Sequence, residues 1–208
     1  MFRWRDCLEG HILIGLLAST TSWVLLTLVT FSTPYIKSIF FLTIPTPELY
    51  FGTYGYCSSD TSGPEDCVGP QLGYERPAGE ITEWLTRTLI LFGLAALFML
   101  LAWITLILSS LRVGKFMWNP VYFRTTALLG SLMAVLAESF ALSLFVVARR
   151  KYNDEGIRAK YGAALWLGLV GAISAFLGAA IGGPAYQGNY MYRADRRQAY
   201  NVQRKVWR

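Results

Sequence analysis

Thr88–Leu111 reads TLILFGLAALFMLLAWITLILSSL, 24 residues without one Asp, Glu, Lys, Arg or His. A bilayer core of ~30 Å takes about 20 helical residues at ~1.5 Å each, so this run is long enough to span it. A soluble helix of that length needs a polar face, and this one has none. Three further runs have almost no charge: Ile12–Phe31 (20 residues), Thr125–Ala148 (24, with Glu138 alone) and Tyr161–Ala185 (25). The chain as a whole is 54% hydrophobic and 15% charged, against roughly 25% charged in soluble domains. The sequence therefore predicts an integral membrane protein, an all-α transmembrane four-helix bundle. Arg3 and Arg5 before the first run give it the start of a secretory leader. Its apolar stretch exceeds the ~7–15 residues of a signal core, so it is read as a retained helix.

Lys and Arg set the orientation. With four spans, both termini share a side with the second loop, and that side holds eleven Lys and Arg against eight opposite. The positive-inside rule places it in the cytoplasm. The expected layout is a cytoplasmic N-terminus (1–11), spans at 12–31, 88–111, 125–148 and 161–185, and outer loops at 32–87 and 149–160. A cytoplasmic loop (112–124) and a basic cytoplasmic tail (186–208) complete it. Arg149, Arg150 and Lys151 argue locally the other way.

The cysteines support the same orientation. Cys57 and Cys67 lie in the first loop, nine residues apart, with no nearby His or further Cys to complete the four ligands of a zinc site. Turn formers lie between them (Ser58, Ser59, Gly63, Pro64) and bring chain ends together. A disulfide is the favoured reading, two free thiols the alternative, and a disulfide requires an oxidising compartment.

Fifty-six residues without structure would be unusual for a loop. Ile36–Ile44 and Leu49–Cys57 are rich in β-branched and aromatic residues and are separated by Pro45 and Pro47, which predicts strands of a small extracellular β-sheet in the first loop. Gly52 and Gly55 fit a bulge or a close backbone approach within the second strand, with Tyr54 and Tyr56 on one face of it. The loop carries seven acidic and three basic side chains. Its negative charge favours solubility first and cation attraction second.

Gly52-Thr53-Tyr54-Gly55-Tyr56-Cys57, with Cys67 beyond, resembles the first-loop signature of the claudin-like tetraspan superfamily, in which a Gly, an aromatic and a Cys precede a second Cys. With Leu72-Gly73-Tyr74 after it, the wording is most similar to the fungal SUR/PalI family. That resemblance implies a claudin-like fold and a plasma-membrane protein of eisosome, cell-wall and cell-cortex organisation or of ambient-pH signalling. Tyr54 stands where animal claudins have Trp, which argues against a tight-junction role. The 23-residue tail is shorter than the disordered, partner-binding tails of many fungal members. A similar Gly-aromatic-Gly-x-Cys…Cys pattern occurs in fungal mating-induced regulators of low-affinity calcium influx.

Glu138 is the one acid deep in a span. A carboxylate there costs at least ~2.5 kcal/mol on insertion scales, so it should face the bundle or carry a proton. Gly130 and Ala134 share its helix face and would let a neighbour approach. The sharper reading is a proton-sensitive or cation-contacting group. The blander and favoured one is an interhelical hydrogen bond to Ser19, Thr20 or Ser22. Gly171, Ala175, Ala179 and Gly183 form a ladder of small residues in the last span, and Ser174, Gly178 and Gly182 a second. Such ladders fit intramolecular helix packing by default and a homo-oligomer interface as the alternative.

Arg193, Arg196, Arg197, Arg204, Lys205 and Arg208 make the tail a ligand for anionic cytoplasmic lipids, worth ~1 kcal/mol per charge near the surface. The alternative is a topology signal alone. Cys7, at the cytoplasmic edge of the first span, is a candidate for palmitoylation. Nucleic-acid binding is a poor reading of the +6 net charge, which is spread over loops beside a membrane. The only histidine is His11. HExxH, CxxC and phosphate-loop motifs are all missing from the sequence. The reading is a non-enzyme without metal or cofactor. It associates laterally as a homo- or hetero-oligomer in the plasma membrane and organises a membrane domain or supports a signalling partner. The alternative is a regulatory subunit of cation influx or ambient-pH sensing.

Overall fold

The structure, a computed structural model, describes residues 10–45, 48–59, 66–71, 73–74, 83–110 and 120–181. Four long helices form the body: α1 (Gly10–Thr30), α3 (Ile90–Ser110), α4 (Pro120–Asp154) and α5 (Ala163–Ile181). A six-residue helix, α2 (Glu83–Thr88), leads into α3. By length and composition Thr86–Leu108, Tyr122–Asp154 and Ala163–Ile181 can each cross a membrane, and α1 contributes the apolar run Ile14–Thr30. The helices close a ring in which α1 packs on α3 and α5, and α4 packs on the same two from the other side. Outward, the bundle is apolar: Leu17, Leu97, Leu132 and Phe176, one from each helix, are more than half exposed. Such a surface suits lipid and not water.

A five-stranded antiparallel sheet caps one end. Its strands are β1 (Leu42–Pro45), β2 (Glu48–Phe51), β3 (Tyr56–Ser59), β4 (Asp66–Val68) and β5 (Lys160–Tyr161), in the order β4-β3-β2-β1-β5. Side chains alternate across a strand, so Leu42, Ile44, Leu49 and Phe51 point into the core. Lys160, Thr43, Tyr50, Cys57 and Cys67 form a row across the opposite face. Phe41, just before β1, stacks on Phe145 of α4 at 4.8 Å and tilts against Phe92 of α3 at 5.9 Å. Sheet and bundle therefore share one continuous core.

Three boundaries differ from expectation. The segment 36–41 is not strand. Thr33 N donates to Ile39 O and Ile39 N to Ile36 O, which turns the chain back before β1 begins. Leu49–Cys57 is two strands and not one, because the backbone reverses at Gly52–Gly55, where Gly52 N donates to Gly55 O. The sheet also draws on both loops. Helix α4 runs past the apolar stretch to Asp154, and Lys160–Tyr161 pairs with β1 before α5 starts. At ~1.5 Å per residue its 35 residues reach about 52 Å, well beyond the ~30 Å of a bilayer core. The surplus supports the sheet: Phe145, Ala148 and Tyr152 are buried in the shared core, and the Arg149 guanidinium lies 4.3 Å from the Tyr161 ring centre.

Candidate functional site, a clasp between sheet and bundle

The Gly52–Gly55 loop is where the sheet is fastened to the helices. Gly52 lies so close to the Thr33 backbone that a Cβ there would overlap the Thr33 carbonyl oxygen and come within 2.7 Å of Thr33 Cβ. Gly55 meets the Val68 carbonyl in the same way, so two chain crossings flank the loop. Neither glycine lies inside a strand, so of the two readings the close backbone approach holds and the bulge does not. Glycine is required because backbone stands where a side chain would be.

Between the glycines, Thr53 is buried and reaches down to α1. Its Oγ1 donates to Val29 O at 2.7 Å and lies 3.0 Å from Ser32 Oγ, while its N–H donates to Ser32 Oγ at 3.0 Å. Val29 is in the last turn of α1, where carbonyls lack helical partners, so a loop side chain caps the helix. From the other side, the Tyr74 hydroxyl donates to Gly52 O at 2.7 Å. Tyr74 is itself held by Thr86 of α2, whose Oγ1 accepts from Tyr74 N and donates to Tyr74 O, both at 3.0 Å. Complete burial raises the Tyr74 phenol well above its ordinary pKa, so it stays a neutral donor.

Tyr54 and Tyr56 do not share a strand face. Tyr54 leaves the loop toward the helix ends, in edge contact with Tyr35 at 6.4 Å, and its hydroxyl comes close to Gly93 of α3. Burial first, then the neighbouring Tyr35, raises its pKa. Tyr56 in β3 packs against Phe51 and Tyr74 instead. Cys57 and Cys67 are joined in a disulfide between directly opposed residues of β3 and β4. Thr53 and Tyr74 stand in the sequence only as members of the family motif, and nothing there marks Ser32 or Thr86. The available signal was a threonine between two glycines of a loop, too common a pattern to mark a helix cap.

Thr53→Val keeps the shape and removes the hydroxyl. The Val29 carbonyl then keeps only the 3.2 Å bond from Ser32 N, so the change removes one buried hydrogen bond and costs about 0.5–1.5 kcal/mol. A lowered melting temperature in detergent, with an intact disulfide on a non-reducing gel, is the expected result. An unchanged melt would remove Thr53 from the clasp.

Within the bundle, Glu138 is 3% exposed, and neither carboxyl oxygen has a hydrogen-bond partner among the described residues. The expected bond to a hydroxyl of α1 is not formed. Thr20 Oγ1 donates to Leu16 O of its own helix, and Ser19 and Ser22 are buried without partners among the described residues. Glu138 lies against Gly168, whereas Ser19 lies against Gly178, about 15 Å farther along α5 at ~1.5 Å per residue. Gly130 and Ala134, on the Glu138 face, are buried, and Gly130 meets Met99 of α3. On α5, Gly171 packs on Leu25 and Leu26 and Gly178 on Ser19, so both small-residue ladders turn toward α1 at these points. Ala175 is buried and Ala179 partly buried. Gly183, Cys7 and the tail residues Arg193, Arg196, Arg197, Arg204, Lys205 and Arg208 lie outside the described residues. No group of three or more His, Cys, Asp or Glu able to hold a metal occurs among the described residues.

Four helices with a lipid-compatible exterior, capped by a disulfide-tied antiparallel sheet, define a claudin-like membrane protein. Residues 11–178 match the SUR7/PalI family, and the chain belongs to that family. No curated protein matches it in sequence.

Proposed function

We propose that this SUR7/PalI protein acts without chemistry of its own, by lateral association in the plasma membrane. It would organise a membrane domain of the cell cortex or support a signalling partner. In this reading the termini are cytoplasmic and the sheet faces outward. The disulfide supports that orientation, because such bonds persist in oxidising surroundings. The observation that carries the reading is the clasp. A sheet bonded to α1 and α2 at Thr53 and Tyr74 is a rigid platform, suited to recognising a neighbour at low entropic cost. The partners are homo- or hetero-oligomeric membrane proteins, with the basic tail held by anionic cytoplasmic lipids. Gly171 and Gly178 of α5 already face α1, so an oligomer would use the outer, lipid-facing sides of the helices or the sheet.

Photobleaching of the fluorescently tagged protein in its own cells tests this. Static surface patches with slow recovery are expected. A uniform, freely mobile signal would sink the proposal.

A second reading, a regulatory subunit of cation influx or ambient-pH sensing, is favoured by the buried, unpartnered Glu138. It predicts that Glu138→Gln changes ion influx or pH response at unchanged surface abundance. Unchanged responses in that variant would count against it.

A further inference from the structure

We propose that Glu138 and Gly168 form a proton-binding site inside the bundle, in which the carboxyl rests against the α5 backbone as the neutral acid. Three observations define the site. The carboxyl is enclosed, with both oxygens unpartnered among the described residues. Its seat exists only because residue 168 has no side chain, since a Cβ there would overlap Glu138 Oε2. Phe92 of α3 closes the seat, with Cε1 3.3 Å from the same point.

The surroundings offer an ionised carboxylate nothing. The described side chains of α3 and α5, on which α4 packs, and of α1 across the ring include no Asp, Glu, Lys, Arg, His, Tyr or Cys. The short α2, which also touches α4, carries Arg87, exposed and lying against Gly73. On α4 itself the nearest charged groups are Arg149 and Arg124, about 17 Å and about 21 Å along the axis at ~1.5 Å per residue. A carboxylate without a counter-charge in an apolar bundle is costly, whereas a carboxylic acid is not. The α4–α5 contact at Gly168 is therefore intact with the proton bound and weakens as rising pH removes it.

The seat also adjoins the sheet. Phe92, which closes it, touches Phe41, and Phe41 stacks on Phe145. Displacing the carboxyl or α5 would disturb the aromatic joint on which the sheet stands. This deepens the ion- and pH-linked reading above and rests on it for its cellular role, while the proton chemistry is tested without a cell.

The experiment is carbodiimide labelling of the full-length protein in membrane vesicles, read by peptide mass spectrometry. Dicyclohexylcarbodiimide, which is lipid-soluble and reacts with carboxylic acids, is compared with a water-soluble carbodiimide. Labelling of Glu138 by the lipid-soluble reagent alone is expected, its rate falling about tenfold per pH unit on the alkaline side of the acid's midpoint. Gly168→Ala, checked for an intact Cys57–Cys67 disulfide, should change that rate at least severalfold by pushing the carboxyl out of its seat. Several outcomes overturn the proposal in protein with an intact disulfide. They are no labelling of Glu138 between about pH 5 and about pH 9, pH-independent labelling, equal labelling by both reagents, or a Gly168→Ala rate equal to wild type. None of these reads ion influx, so the labelling result and the cellular reading stand or fall separately.

Discussion

Gly52→Val yields little or no folded, disulfide-bonded protein. A side chain at this position would occupy the space of the Thr33 carbonyl, and the obstruction is backbone, which cannot rotate aside. Overpacking ordinarily costs about 1–3 kcal/mol because neighbours shift. Here the shift would separate the loop from the end of α1 and break the bonds from Thr53 to Val29 and from Tyr74 to Gly52. With each buried hydrogen bond contributing about 1 kcal/mol, the total is about 3–5 kcal/mol, which reaches the range of severe structural lesions. Recovery of monomer on a non-reducing gel and its melting temperature in detergent are the measurements. Gly156→Ala is the comparison. Gly156 has φ +83° and no atom within 4 Å of a Cβ, so it should lose only the ~1–2 kcal/mol of a left-handed backbone. Equal losses in the two variants would refute the argument from the Thr33 crossing.

The same residues show how far the sequence could be read. Runs without charge identify lipid-facing helices, because a charge in the bilayer is costly wherever it falls. That criterion marks where lipid ends, however, and not where helix ends. Arg149, Arg150 and Lys151 closed the third apolar run, yet they are good helix formers, and α4 continues through them to Asp154. Strand β5 has two residues, too few to show any periodicity, and exists because Gly162 and Ala164 bond back to Phe41 and Phe40. Gly52 and Gly55 stood out, but glycine in a β-rich run fits a bulge as well as a reversal. The crossing of Thr33 that decides between them comes from a distant segment. Ser32, Thr53 and Thr86 are ordinary hydroxyl residues until the fold places them beside a helix end and a buried tyrosine. Glu138 was visible as a lone acid, whereas Gly168, which makes room for it, was hidden among the many small residues of α5.

The sheet edge near the motif depends on a covalent bond more than on burial, and replacing both cysteines by serine exposes that dependence. All three residues of β4 are solvent-exposed, so the strand has little apolar area to hold it on β3. The Cys57–Cys67 bond closes a short loop, and the chain-entropy account assigns such a loop roughly 3 kcal/mol. Without it, β4 is expected to detach from β3, Val68 to leave Gly55, and the bond from Gln71 N to Tyr54 O to be lost. The bundle, built on helix packing and a core that omits β4, should remain. Hydrogen exchange on the full-length double variant should then speed up on the order of 100-fold at residues 56–58 and 66–68, with helix amides unchanged. If the clasp is the platform for lateral association, the variant reaches the surface and recovers quickly after photobleaching. Unchanged exchange would mean that the β3–β4 ladder holds without the disulfide. Faster exchange with patches still static would place the association surface on the helices and not on the sheet.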